Sequence, residues 1–172
     1  MRKLTAGQAF LLQAKEDLHA TRMVGYDIIS APSTFYMLLQ MVFEKLAKAH
    51  RYWNYGQLPA KVGHEIADQY FSKVFEVLIR MKPSKRKYYR LLRDLIKELE
   101  AAQPSVAKKS APATPILEYP WEDRQKNICF PARDLPLVQK IKSNGNHALT
   151  AWAALKFATE DIGELMRQGK LK

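Results

Sequence analysis

The stretch from Ser33 to Tyr52, S-T-F-Y-M-L-L-Q-M-V-F-E-K-L-A-K-A-H-R-Y, constrains the fold of this chain more than any other. Phe35, Leu38, Leu39, Val42, Leu46, Ala49 and, just beyond, Trp53 recur at helical spacing, so one face is continuously apolar. Tyr36, Phe43 and Ala47 add a second apolar stripe. Only Gln40, Glu44, Lys45, Lys48 and Arg51 are left as a polar seam, too narrow for a helix lying on a surface. The spacing therefore predicts a central helix, capped by Ser33 or Thr34, with several partner helices around it.

The partners can be read from the rest of the chain. Thr5-Ala6-Gly7-Gln8 has the form of a capping box, and Leu11, Ala14, Leu18 and Thr21 make the inner face of the helix that it opens. The short link through Gly25 and Ala31-Pro32-Ser33 sets this helix antiparallel to the central one. From His64, the residues Ile66, Tyr70, Val74, Val77 and Met81 predict a third helix, closed by Lys82-Pro83. Ser84 caps a fourth, with Tyr88, Leu91, Leu92, Leu95 and Leu99 inward. Gln103 to Pro115 holds three prolines among small and basic residues, so a mobile loop is expected at about 103–118. Asp134 and Pro136 start a short helix to Ile141, and Asn144-Gly145 breaks it. Asn146 opens a last helix to near Arg167, with Leu149, Trp152, Leu155, Ala158, Ile162 and Leu165 inside. No strand alternation and no repeat emerges. The expected fold is a single all-α, up-and-down bundle of four to six helices over residues 1–172.

The order Gln40, Glu44-Lys45, Lys48-Ala49 resembles the second helix of HEPN domains (higher eukaryotes and prokaryotes nucleotide-binding), where the pattern is roughly Q-Q-A-x-E-K-x-x-K-A. Met41 stands where the second glutamine would be. Ala14 to Val24, A-K-E-D-L-H-A-T-R-M-V, is similar to that family's first helix. Gly63-His64-Glu65-Ile66 resembles its G-H-[DE]-[LI] entry to the third, and Tyr119-Pro120 or Phe130-Pro131 its aromatic-proline step before the last. The likeness covers most of the chain in order. It implies a HEPN-like bundle, a homodimer, and a nucleotide- or RNA-binding role. HEPN ribonucleases carry an arginine, four to six residues, then a histidine. Here thirteen residues separate Arg133 from His147 and twelve separate Arg51 from His64. The expectation is thus a non-catalytic relative without a cofactor. The alternatives are a metal-independent RNase toxin with a degenerate site around Arg124 and His147, or a partner subunit of a small nucleotidyltransferase.

Charge points the same way. Twenty-eight Lys and Arg against seventeen Asp and Glu leave a net +11, which attracts polyanions. The segment from Lys82 to Ser110 carries nine basic and three acidic residues, +6 of that total. Within it Arg86, Arg90, Arg93 and Lys97 recur at one-turn spacing, with Lys85, Lys87, Tyr88 and Tyr89 adjacent. Guanidinium groups so spaced can meet successive phosphates, and a tyrosine can stack on an unpaired base. The alternative is a solvated helix face. A second candidate is the cleft formed by Gln40, Glu44, Lys45, Lys48, His64, Arg124 and His147; Glu44 and Lys48 can equally be a mere i,i+4 pair. His19 and His50, like the other two histidines, read first as structural or exposed residues, since a lone histidine has no partner in the sequence.

Phosphate-cradling glycine motifs, H-E-x-x-H and the serine-nucleophile elbow are absent from the sequence. One cysteine, Cys129, allows no internal disulfide. No apolar run approaches a membrane span and the first residues have no signal core, so the expectation is a cytoplasmic protein with no membrane partner.

Overall fold

Thr5 and Gln8 satisfy each other where the first helix starts. The Thr5 amide donates to Gln8 Oε1 at 3.0 Å, and the Gln8 amide donates to Thr5 Oγ1 at 3.3 Å. This reciprocal capping box fills two of the donors that a helix start leaves open. The computed structural model describes residues 5–25, 31–56, 66–102, 121–122, 125–129 and 131–171. In it α1 spans Ala6–Gly25 and α2 spans Pro32–Tyr55. The second helix starts before Ser33 and Thr34, the expected caps. Ala31 is the N-cap without a side-chain bond, and Pro32 takes the first turn, where its missing N–H costs nothing. Gly56, at φ 67°, closes the far end by donating its amide to the Tyr52 carbonyl at 3.0 Å.

The two helices are antiparallel: Gly25 lies against Phe35, Asp17 pairs with Lys45, and Phe10 stacks on Tyr52. All four expected inner residues of α1, Leu11, Ala14, Leu18 and Thr21, are buried. On α2 both apolar stripes are covered. Phe35, Tyr36, Leu39, Val42, Phe43, Leu46, Ala47 and Ala49 are each 1% exposed or less, which makes α2 the axis of the bundle.

Helix α3, Ile66–Met81, runs into a 3₁₀ turn at Pro83–Lys85 and then α4, Arg86–Ala101. Ser84 sits inside that turn and does not cap; Lys85 is the N-cap, again without a side-chain bond. The buried face of α3 is rotated from the expected one. Phe71, Val74, Phe75 and Leu78 are buried, Phe71 stacks on Phe75 and packs edge-on to Phe43, and Met81 is 39% exposed. A two-residue antiparallel ladder, β1 (Trp121–Glu122) with β2 (Ile128–Cys129), follows. No strand was expected, because two residues are too few to show a period.

A single turn α5, Pro131–Asp134, precedes α6, Pro136–Ser143, so Pro136 takes the first turn as expected while Asp134 ends the turn before it and stands short of the cap position. The last helix, α7, spans Gly145–Arg167. Its cap is Asn144, whose side chain accepts from the Asn146 amide at 3.2 Å, so Asn146 lies within the first turn and does not open the helix. Helix α7 lies antiparallel to α1, with Trp152 against Leu18 and Gly163 against Leu11. It is antiparallel to α4 too, through Tyr88 on Phe157 and Lys85 on Asp161. Apart from the short ladder the described residues form an all-α bundle with one continuous apolar core. The expected loop at 103–118 lies outside the described residues.

Candidate nucleic-acid interface

Helix α4 divides sharply into two sides. Tyr89, Leu92, Ile96 and Leu99 are no more than 2% exposed. Arg86, Arg90 and Lys97 are exposed on the opposite side and Arg93 is half-buried, its Nε 3.7 Å from the Asp94 carboxylate. Sequence reasoning put Tyr88 inside and offered Tyr89 for stacking. The structure reverses the two. The Tyr89 ring is fully buried, stacked on Phe75, with its hydroxyl donating to Asp161 Oδ2. It cannot reach a ligand. The 3-4-3 spacing of Tyr89, Leu92, Ile96 and Leu99 carries that signal in the sequence.

Lys85 is also removed from the expected contact set. Its Nζ donates to Asp161 Oδ2 at 2.8 Å and lies 4.9 Å from the Phe157 ring centroid, so its charge is compensated within the bundle. Lys87, by contrast, is exposed and its Nζ stands 5.0 Å from the Tyr88 ring centroid.

Between α4 and α7 a groove of about 490 Å³ opens, lined by Lys87, Tyr88, Leu91, Leu149, Thr150 and Ala153. Leu149, expected inside, is 57% exposed on its rim. The buried face of α7 runs instead through Ala148, Ala151, Leu155, Ala158 and Ile162, one residue off Leu149. The groove thus combines the Tyr88 ring and an aliphatic wall with one exposed cation, Lys87. That is the chemistry an unpaired base and its phosphate require.

Of the seven residues expected to form one cleft, the five described ones are not all brought together. His64 and Arg124 lie outside the described residues. Lys45 pairs with Asp17 of α1, and Lys48 pairs with Glu44 on its own helix. Gln40 is 8% exposed and faces α4 across a void of about 10 Å³ that Glu44 and Glu100 also line. A void of that size holds at most about one water. Among the described residues the seam is therefore one tie between helices, Lys45 to Asp17, and one pair within α2, Lys48 to Glu44. His147 stands apart, in the first turn of α7 beside Glu98 and Lys140, which bond each other at 2.6 Å. Burial and the Lys140 charge lower its pKa, while Glu98 opposes them. Burial first, then the Glu98 charge, raise the pKa of the Tyr36 phenol well above its ordinary value.

Among the described residues no group of three or more His, Cys, Asp or Glu side chains is placed to hold a metal ion. Nor is any helix among them long and apolar enough to cross a membrane. Fold and surface together define an all-α helical bundle with a basic, grooved face. No protein-family model, no curated protein and no solved structure matches the chain.

Proposed function

We propose that this chain is a HEPN-like, non-catalytic helical module that binds single-stranded RNA through α4 and the α4–α7 groove. The observation that carries the reading is that Arg86, Arg90 and Lys97 are all exposed on α4, the helix whose Lys87 and Tyr88 line the groove. Cations along the helix suit a phosphate backbone, and the ring beside them suits a base. The family part of the reading is supported by the motif order. Gln40, Glu44, Lys45, Lys48 and Ala49 all fall on α2, packed antiparallel to α1. A homodimer belongs to the same reading, whereas a nucleotidyltransferase partner belongs to the alternative in which the chain is a partner subunit.

The test is to incubate the purified protein with mixed-sequence RNA in the presence of chelator, and to follow binding and cleavage at two salt concentrations. Salt-sensitive binding of intact RNA is the expected result. Cleavage that disappears in His147→Ala would make the protein an enzyme instead. Absence of binding even at low salt, with a second chain co-purifying, would favour the partner-subunit reading.

A further inference from the structure

Helix α7 has a second flank. There Lys15, His19 and Arg22 of α1 face Trp152, Lys156 and Glu160 of α7 across a groove of about 310 Å³. The indole is held in one pose: its N–H donates to the Leu18 carbonyl of α1 at 3.2 Å. Two cations of the groove lie over the ring's π face. The Arg22 guanidinium and the Lys156 ammonium stand 5.7 and 5.9 Å from the ring centroid. Lys15 and Lys156 are exposed and pair with no carboxylate among the described residues.

A fixed indole with exposed Lys15 and Lys156 in the same groove matches a planar base attached to a phosphate, the base taking the place over the ring that Lys156 holds without it. An acidic peptide would use the cations and leave the indole idle. The placement of the groove adds a second argument. Ala153 and Thr150 line the α4 groove, while the neighbouring Trp152 lines this one. The two grooves flank one helix, about one helix diameter apart, ~10 Å, with exposed Leu149 and Lys156 among the side chains between them. A strand leaving the Tyr88 groove can cross there.

We infer that the Trp152 groove is a second base-stacking site, occupied by the same single strand that runs over α4. The inference rests on the RNA-binding reading and adds the strand's path. Lys15 and Lys156 meet its phosphate, Trp152 meets its base, and Glu160 opposes the phosphate at the far end of the groove.

Fluorescence anisotropy of a labelled uridine-rich strand of ~12 nucleotides, within the span of known single-strand sites, tests it at several salt concentrations. Trp152→Leu should weaken binding about 5- to 150-fold, the range for one lost base stack, and Trp152→Phe should recover most of it. Lys15→Gln with Lys156→Gln should flatten the slope of log affinity against log salt by about 1.4, since each single-strand phosphate contact contributes about 0.7. Glu160→Gln should tighten binding. If Trp152→Leu proves unstable by circular dichroism, the exposed lysine pair decides alone. Unchanged affinity and slope in these variants, with binding still lost in Arg86→Ala/Arg90→Ala, overturn the second site and leave the α4 interface standing. A wild-type protein that binds no RNA overturns both.

Discussion

Lys85 before α4 and Asp161 on α7, 76 residues apart in the chain, meet at 2.8 Å between Nζ and Oδ2. The Tyr89 hydroxyl donates to the same oxygen, and Asp161 is only 5% exposed. Burial, with the carboxylate's hydrogen bond and charge, holds the Tyr89 phenol protonated far above its ordinary range. One carboxylate thus fixes the register of α4 against α7. The groove between them depends on that register, because Tyr88 and Phe157 pack one turn along from the pair.

Removing Asp161 leaves a buried hydroxyl without an acceptor and a half-buried ammonium without a counter-ion. Asp161→Ala is expected to destabilise the fold by about 2–3 kcal/mol, and Tyr89→Phe by only ~1 kcal/mol, because there the acceptor keeps Lys85. Urea denaturation measures both. A loss below ~0.5 kcal/mol for Asp161→Ala would mean that the junction is held by apolar packing alone.

The same contact separates two kinds of basic residue on the α4 side. Arg86→Ala and Arg90→Ala should each reduce the salt slope of RNA binding by about 0.7, whereas Lys85→Gln should leave the slope unchanged. Tyr88→Ala should weaken binding by about 1–3 kcal/mol, the cost of a lost stack, and Tyr89→Phe should not. Equal effects at Tyr88 and Tyr89 would contradict the burial that distinguishes them.

That distinction shows where the sequence is legible. Period and caps within one helix are local, so Thr5 with Gln8, the inner face of α1 and the Glu44–Lys48 pair can all be read in advance. Which face of an amphipathic helix wins is less local. On α4 two tyrosines are adjacent, and only the partner Asp161 decides that Tyr89 goes in. On α3 the choice between Tyr70 and Phe71 is settled by Phe43 across the core. Pairs between helices, Lys45 with Asp17 and Lys85 with Asp161, have no signature in the chain at all. The polar seam of α2 reads as a cleft because its partners are remote in sequence. The Trp152 groove is hidden for the same reason, since its two walls come from opposite ends of the chain.

Two histidines make stability depend on pH. His50 is 6% exposed, near Arg51, Asn54, the Tyr70 ring and the Leu171 carbonyl. Its pKa is lowered by burial and by Arg51, against a raising bond to Leu171. His147 is lowered by burial and Lys140, against Glu98. In both, the unfolded chain takes up a proton first, near pH ~6.5. Stability is therefore full above that value and falls with pH until the folded-state values are passed. Melting at pH ~7.5 and ~5 should show the loss, and His50→Gln with His147→Gln should flatten it. An unchanged slope in the double variant would place the dependence elsewhere.

Two helical glycines should respond to alanine with opposite sign. In both, alanine gains up to ~1 kcal/mol of helix propensity, somewhat less in the first turn where Gly7 lies. A Cβ at Gly7 would stand 3.0 Å from the Ala49 carbonyl oxygen and 3.2 Å from the Trp53 amide nitrogen. Those are backbone atoms of the central helix, and they can yield only if α1 and α2 separate. Gly7→Ala is expected to cost a net ~1–3 kcal/mol, the usual range for overpacking. A Cβ at Gly163 would meet Leu11 Cδ2 at 3.5 Å and Cδ1 at 3.8 Å, ordinary contact with a flexible side chain. Gly163→Ala should therefore keep most of its propensity gain and stabilise by about 0.5–1 kcal/mol. Denaturant midpoints of the two variants decide the matter. If Gly7→Ala stabilises as well, the helices are not as close at that crossing as the backbone places them.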